Sequence, residues 1–224
     1  MAERFEQLTG FILTGGESKR MGRPKAYLPL GGEIQILRTA RLLRSVCGRV
    51  AAAGRIPGNF MPAREMQAQE GRGGIVFCGD PLPVFEDVLP GLGPLGGIYS
   101  GLLSTRTEYN LFAGCDMPLL TARILRIIAR RAFASEADVT VPEAAGGGFH
   151  GCCAIYRRRA RAVIRASLGG GRSKVSDFYP RIRLEVIRWQ EIRRHGISPD
   201  IFMNMNAPAD YLAAKNAIEG RSQE

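Results

Sequence analysis

Short apolar runs and segments of helical periodicity alternate along this chain. Gly10 to Leu13 reads as a buried strand, and Ile34 to Val46 sets Leu37, Leu42, Leu43 and Val46 at helical spacing. Val50 to Ala53 and Ile75 to Cys78 read as the second and third strands, with Gly54 to Gly74 between them as a loop around a short, weak helix. A loop rich in proline and glycine follows. The stretch "GPLGGIYSGLL" then opens a helix at Pro94, since proline suits a first turn. Tyr109 to Ala113 is a strand running into "GCDMPLL", and Thr121 is placed to cap a helix reaching about Ala134. Strands at Val139 to Val141 and Cys153 to Tyr156 flank the flexible loop "AAGGGFHG". Arg159 to Leu168 is helical until "GGG" breaks it, Leu184 to Ile187 is a late strand, and Pro208 to Glu219 is the last helix.

Continuous apolar strands alternating with helices imply an α/β fold, a parallel sheet with helices on both faces. Right-handed crossovers bring the carboxyl ends of such strands to one edge, where ligands bind. The opening loop, the loop after Cys78 and "CDMP" are therefore expected to share one cleft. With no internal repeat and no linker visible, residues 1–224 read as one domain.

Composition changes this picture little. Hydrophobic residues make up 45% of the chain, enough for a substantial core, yet no apolar run is long enough to cross a bilayer. "MAERFEQLTG" lacks the apolar segment of a secretory leader, so a cytoplasmic protein is expected, with no membrane partner. Five cysteines without framework spacing read as reduced and mostly buried. The net charge of +10, from 31 Lys and Arg against 21 Asp and Glu, brings nucleic acid into consideration. The charge is scattered, however, and the densest run, "RRRAR" at Arg157 to Arg161, reads as a solvated helix face. No nucleic-acid partner is expected.

The candidate chemistry lies in "FILTGGESKRMGRPKAYLPLGG", Phe11 to Gly32. Neither the Walker pattern nor the dinucleotide fingerprint fits it. Gly15 and Gly16 still allow close backbone approach and an anion-binding concavity of N–H groups. Lys19, Arg20, Arg23 and Lys25 add charge-assisted donors, and Pro24 stiffens the approach to Lys25. Downstream, Asp116 lies just past an apolar strand, where a carboxylate faces the cleft, and magnesium takes one or two carboxylates plus substrate phosphates. Asp80, Glu86 and Asp87 compete for a second acidic role.

"LTGGESKRMGRPKAYLPLGG" resembles the signature of the molybdenum cofactor guanylyltransferases, within a wider nucleotidyltransferase superfamily. "DVLPGLGPLGGIYSGL", "FAGCDMPLL" and "FMNMNAPADY" resemble three further motifs of that family, in the family's order. Ala207 and Ala209 depart from the last of these. The resemblance implies a three-layer Rossmann-like fold with a mostly parallel central sheet. Its nucleotide-binding half would span about residues 8–120 and its cofactor-substrate half about residues 121–219. It implies transfer of GMP from GTP to the phosphate of molybdenum-molybdopterin with release of pyrophosphate. Leu13, Thr14, Gly15 and Gly16 would line the nucleotide site, Lys25 would hold the phosphates, and Arg20 would neutralise the triphosphate or steer the acceptor. Asp87 would help bind the nucleotide, and Asp116 would bind both magnesium and nucleotide.

Asn204 and Asn206 are equally suited to binding a ligand and to capping before Pro208. His150, alone in a glycine-rich loop, reads as solvated, and Arg172, Ser173 and Lys174 either meet the acceptor or decorate a surface loop. The acceptor phosphate, with a second pKa near about 6, is already mostly dianionic at neutral pH, so no side-chain base is required. The rivals to this reading are a CTP-dependent molybdopterin transferase, a transferase for another small phosphate, and a nonenzymatic basic nucleotide or nucleic-acid binder. Passing contact with cofactor-synthesis proteins or apo-molybdoenzymes belongs to the implied role.

Overall fold

The computed structural model describes residues 3–15, 24–54, 67–68, 74–77 and 80–220. The chain opens with β1 (Phe5–Leu13), turns through the hairpin β2 (Pro29–Leu30) and β3 (Glu33–Ile34), and continues into α1 (Gln35–Arg44) and β4 (Cys47–Ala53). Next come β5 (Gln67–Ala68), β6 (Gly74–Phe77), β7 (Asp80–Phe85), α2 (Gly93–Ser104) and β8 (Tyr109–Gly114). Then follow α3 (Ala122–Phe133), β9 (Val139–Pro142), β10 (Cys153–Arg157), α4 (Arg161–Gly169), β11 (Leu184–Ile187), α5 (Trp189–Arg194) and α6 (Pro208–Gly220).

The main sheet has the order β11-β9-β10-β8-β1-β4-β7-β6-β5. β1 lies parallel to both β4 and β8, β4 is parallel to β7, and β9 is parallel to β11. The mostly parallel α/β sheet expected from the sequence is therefore present. Strand alternation fills both of its faces. Leu8 and Ile12 of β1, Leu111 of β8 and Ile155 of β10 pack with Ile36, Leu43, Ile124, Ile128 and Ile192 of α1, α3 and α5. Phe11 and Leu13, Phe112 and Tyr156 point the other way, against Leu95, Ile98, Leu102 and Ile164 of α2 and α4. Phe11 stacks on Phe112 at 5.0 Å. A third cluster joins α6 to the β2–β3 hairpin through Leu30, Met205, Ala214 and Ile218.

Three strand expectations change. The third strand is β6, ending at Phe77, and it is antiparallel to β7. Cys78 lies outside the described residues. β7 occupies the stretch expected to be loop, although it carries Pro81 and Pro83. Neither proline has an N–H. Both share the parity of Phe85, whose carbonyl faces β4 by accepting from Gly54, and pairing with β4 begins only at Val84. No ladder bond is lost, which is why prolines are tolerated there. β10 runs antiparallel to both β8 and β9 because residues 143–152 form too short a connection for a parallel crossover.

Thr121 precedes α3 as expected, but its side chain makes no capping bond. The "RRRAR" run does not form a solvated helix face. Arg157 ends β10, mostly buried, 2.9 Å from Glu108 and over the Tyr109 ring. Arg158 and Arg159 lie in a 3-10 turn, and Arg159 pairs with Asp138. Cys47, Cys115 and Cys153 are buried free thiols and Cys152 is partly buried. No described helix is long and apolar enough to cross a membrane.

Candidate functional site

Four adjacent strands end together. Leu13 pairs with Ala53 on one side and Gly114 on the other, and Ala53 pairs with Phe85. The residues that follow each strand emerge on one edge of the sheet, at the carboxyl ends of β1, β4, β7 and β8. Hydrogen bonds carry the ladder one step further: Thr14 N and Oγ1 donate to Ala53 O at 3.0 and 3.2 Å, Gly54 N to Phe85 O at 2.9 Å, and Cys115 N to Leu13 O at 3.0 Å. Leu13 and Thr14 are thus fixed by the sheet, and Gly15 is the first residue beyond it.

Gly54 permits this corner to close. Its φ is +113°, and a Cβ there would stand 2.9 Å from Gly15 N and 3.0 Å from Thr14 Oγ1. Asp87, two residues past β7, lays its carboxylate between Gly15 and Gly97. A Cβ on Gly15 would lie 3.7 Å from Oδ2, and one on Gly97 would lie 3.6 Å from Oδ1. Asp87 Oδ1 is buried without a hydrogen-bond partner among the described residues, and burial raises the pKa of the carboxyl above its ordinary value. Of the acidic candidates, Asp87 reaches the corner, whereas Asp80 sits at the far end of β7.

Asp116 lies two residues past β8. A Cβ on Gly114 would stand only 2.6 Å from Asp116 Oδ1, so the glycine lets the carboxylate fold back over the strand end. Lys25 starts a 3-10 turn after the extended Pro24, and its ammonium lies 3.4 Å from Asp116 Oδ2. The same Nζ donates to Asn206 Oδ1 at 2.7 Å. Side-chain exposures of 16% for Lys25 and 29% for Asp116 put this pair in a cleft, where screening is weaker than at an open surface. The segment before α6 is tied in by Met205 N donating to Asp116 O at 2.8 Å. The structure therefore joins Lys25, Asp116 and Asn206, residues far apart in sequence, and seats Leu13, Thr14, Gly15 and Asp87 beside them. Asn204 is exposed and makes no side-chain hydrogen bond among the described residues. Gly16 and Arg20, like Lys19 and Arg23, lie outside the described residues.

On the other flank, toward β10, Gly114 N donates to Cys152 O at 2.9 Å. His150 is not solvated as expected. It is half-buried, with its ring 4.0 Å from that of Phe202 and inclined by 17°. Burial lowers its pKa to about 4, so the ring is neutral at physiological pH. Burial also raises the Cys115 and Cys152 thiols to about 12, leaving them protonated and poorly nucleophilic. The arrangement is suited to binding and orienting anions rather than to nucleophilic side-chain chemistry.

Three contributors escaped the sequence reading. Gly54 had a readable signal, a glycine directly after an apolar strand. Asp210 had one too: it is the third residue of a helix that begins at a proline, a position where a carboxylate reaches back to backbone N–H groups. The His150–Phe202 stack had no sequence signal, because it joins a loop to a 3-10 turn distant along the chain.

Comparison with known proteins places these features. The chain is 32% identical over 206 residues to a probable molybdenum cofactor guanylyltransferase of Carboxydothermus hydrogenoformans, covering 92% of this chain and 94% of that one. It is 30% identical to the molybdenum cofactor guanylyltransferase of Desulfosudis oleivorans, covering 96% and 97%. Among solved structures, it is similar to molybdopterin-guanine dinucleotide biosynthesis protein A of Archaeoglobus fulgidus, with a TM-score of 0.75 at 18% identity, over 96% of this chain and all of that one. A 2-C-methyl-D-erythritol 4-phosphate cytidylyltransferase of Thermus thermophilus shares the fold at a TM-score of 0.62 and 14% identity, over 94% and 98%. The sequence profile of the MobA-like NTP transferase domain matches residues 10–182, and the chain belongs to that family of nucleotidyltransferases.

Proposed function

We propose that this protein transfers GMP from GTP to the phosphate of molybdenum-molybdopterin, giving the guanine dinucleotide cofactor and pyrophosphate. The observation that carries the reading is the Lys25–Asp116–Asn206 cluster at the carboxyl ends of parallel strands, in a chain whose relatives bear the name of that activity. We take the whole chain as one working unit, with the nucleotide over β1, β4 and β7 and the acceptor toward β10.

The residues fit a magnesium ion. The Lys25 ammonium already rests against Asp116, so this carboxylate is aimed where a cation can sit. Asp87 offers the nucleotide a buried oxygen that no donor occupies among the described residues. A carboxylate completed by substrate phosphates and water suits magnesium. When bound, the ion would neutralise charge on the triphosphate oxygens.

In the transfer, an oxygen of the acceptor phosphate bonds to the α-phosphorus of GTP as the bond to the pyrophosphate oxygen breaks. The nucleophile needs no base, so the protein's work is placement and charge neutralisation. Lys25 opposes the mutual repulsion of the anions. Thr14 and Gly15, fixed by the sheet and by Gly54, leave room for close approach of the nucleotide backbone. Arg20 is assigned by resemblance to the triphosphate or the acceptor. The half-buried, neutral His150 lies on the acceptor flank. The test is pyrophosphate release with magnesium, molybdopterin and either GTP or CTP. Activity with CTP and none with GTP sinks the guanine assignment, and no release with either sinks the reading as a whole.

A further inference from the structure

The profile match to the family ends at residue 182, yet the segment that completes the Lys25 cluster comes later, from Phe202 to α6. Asn206 supplies the oxygen that receives Lys25 Nζ at 2.7 Å. What holds Asn206 is its own backbone. Asp210 Oδ2 accepts from Asn206 N and Ala207 N, each at 2.8 Å. Ala207, just before the helix, has no side-chain oxygen of its own to cap α6. The carboxylate at the third helical position reaches back instead, as in half of a capping box.

α6 is in turn anchored to the stretch that follows Lys25. Tyr211 Oη donates to Pro29 O at 2.7 Å, and Leu30 packs with Ala214 and Ile218. A chain of contacts therefore runs from α6 through Asp210 and Asn206 to the lysine on Asp116, and a second runs from α6 to the hairpin just past that lysine.

We infer that Asp210 is a positioning residue for the transfer reaction: by fixing the Asn206 backbone it aims the Asn206 carboxamide at Lys25 and holds the ammonium at the Asp116 end of the cleft. This rests on the functional reading above. A helix cap alone contributes to stability and leaves the chemistry unaffected. A positioning role makes a different demand, since the effect of Asp210 must pass through Asn206.

The experiment is a double-mutant cycle in the full-length protein, with kcat, KM for GTP and melting temperature measured for each variant. Asp210→Ala and Asn206→Ala are each expected to lower kcat about tenfold, the size of a lost hydrogen bond to a charged group. The double variant is expected to match Asn206→Ala within about twofold, because the path is already cut. Asp210→Asn is expected to recover most of the rate, since its carboxamide oxygen can accept both N–H groups. Losses that multiply to about a hundredfold in the double variant overturn the inference, as does a wild-type rate in Asp210→Ala.

An activity-free measurement accompanies the cycle. Lys25 acetylation by acetic anhydride, read by mass spectrometry against Lys174 and Lys215 in nucleotide-free protein, should rise alike in Asn206→Ala and Asp210→Ala. An unchanged Lys25 in Asp210→Ala also refutes the role. If Asp210→Ala is unfolded at the assay temperature, Asp210→Ser supplies the comparison, because one short hydroxyl cannot serve both N–H groups. Should wild-type protein release no pyrophosphate, the functional reading fails on its own, while the acetylation result still decides whether Asp210 positions Lys25.

Discussion

Replacing Gly54 by alanine adds one methyl group where three strand ends meet, and the structure fixes its cost. The φ of +113° is a conformation that L side chains rarely adopt, which costs about 1–3 kcal/mol. The new Cβ would also stand 2.9 Å from Gly15 N and 3.0 Å from Thr14 Oγ1. Relief requires the 14–15 corner to move off, weakening the two Thr14 bonds to Ala53 O, each worth about 1 kcal/mol. The expected total is about 3–5 kcal/mol, or roughly 6–20 °C in melting temperature for a chain of this size. Gly32 is the control. Its φ is +80°, and none of the described residues comes within 4 Å of an added Cβ, so Gly32→Ala carries strain without a clash. It should cost about 1–2 kcal/mol. Melting curves give the stability term, and calorimetric titration with GTP gives the functional one. Gly54→Ala should weaken GTP at least tenfold, and Gly32→Ala should leave it unchanged. Equal GTP affinity in the two variants would refute the claim that Gly54 seats the nucleotide corner.

Three further outcomes follow from the same geometry. Asp116→Asn should reduce turnover by at least a hundredfold in a pyrophosphate assay while the protein remains folded by circular dichroism; near-wild-type turnover would remove Asp116 from the site. Asp87→Asn should abolish transfer yet raise the melting temperature at pH 7–8. The native carboxyl has a raised pKa, so its contribution to stability is complete below the ordinary carboxylate pKa and is lost as pH rises through the folded value. The stability gap between variant and wild type should therefore shrink on acidification, and a gap that widens contradicts this account. His150 has the opposite sign: with its pKa lowered from 6.5 to about 4, its contribution is full above pH 6.5 and is lost between there and about 4. Urea unfolding of wild type and His150→Phe across pH 7 to 4 should show an acid-dependent loss in the wild type that the variant lacks.

The alternation of apolar runs and helical periods was enough to read the parallel core. Strands buried on both faces, such as Phe11-Ile12-Leu13 and Leu111-Phe112-Ala113, announce themselves as continuous apolar stretches. β7 did not, because Pro81 and Pro83 suppress the signal although the ladder never needs their N–H groups. The orientation of β10 depended on the length of one connection rather than on composition. At the site, Gly15 and Asp116 were legible since each lies two residues past an apolar strand that reaches the shared edge, whereas Asp87 stood out from Asp80 and Glu86 only through the motif resemblance, its strand being unread. Lys25 and Asn206 were named separately, but their meeting depends on how α6 folds back, which no local pattern specifies. His150 was misread because its partner Phe202 lies in a 3-10 turn some fifty residues on. The "RRRAR" run was misread because Glu108 and Asp138, which pair with Arg157 and Arg159, arrive from the turns that lead into β8 and β9.

The dependence of the lysine on α6 bears on how the protein is made. Synthesis proceeds from the amino end, and the sheet from β1 to β11 leaves the ribosome before Asn206 and Asp210 do. A nascent chain can thus assemble its strand-end corner before Asn206, just ahead of α6, has emerged to meet Lys25. Competence would arrive late and at once, when α6 docks onto the β2–β3 hairpin.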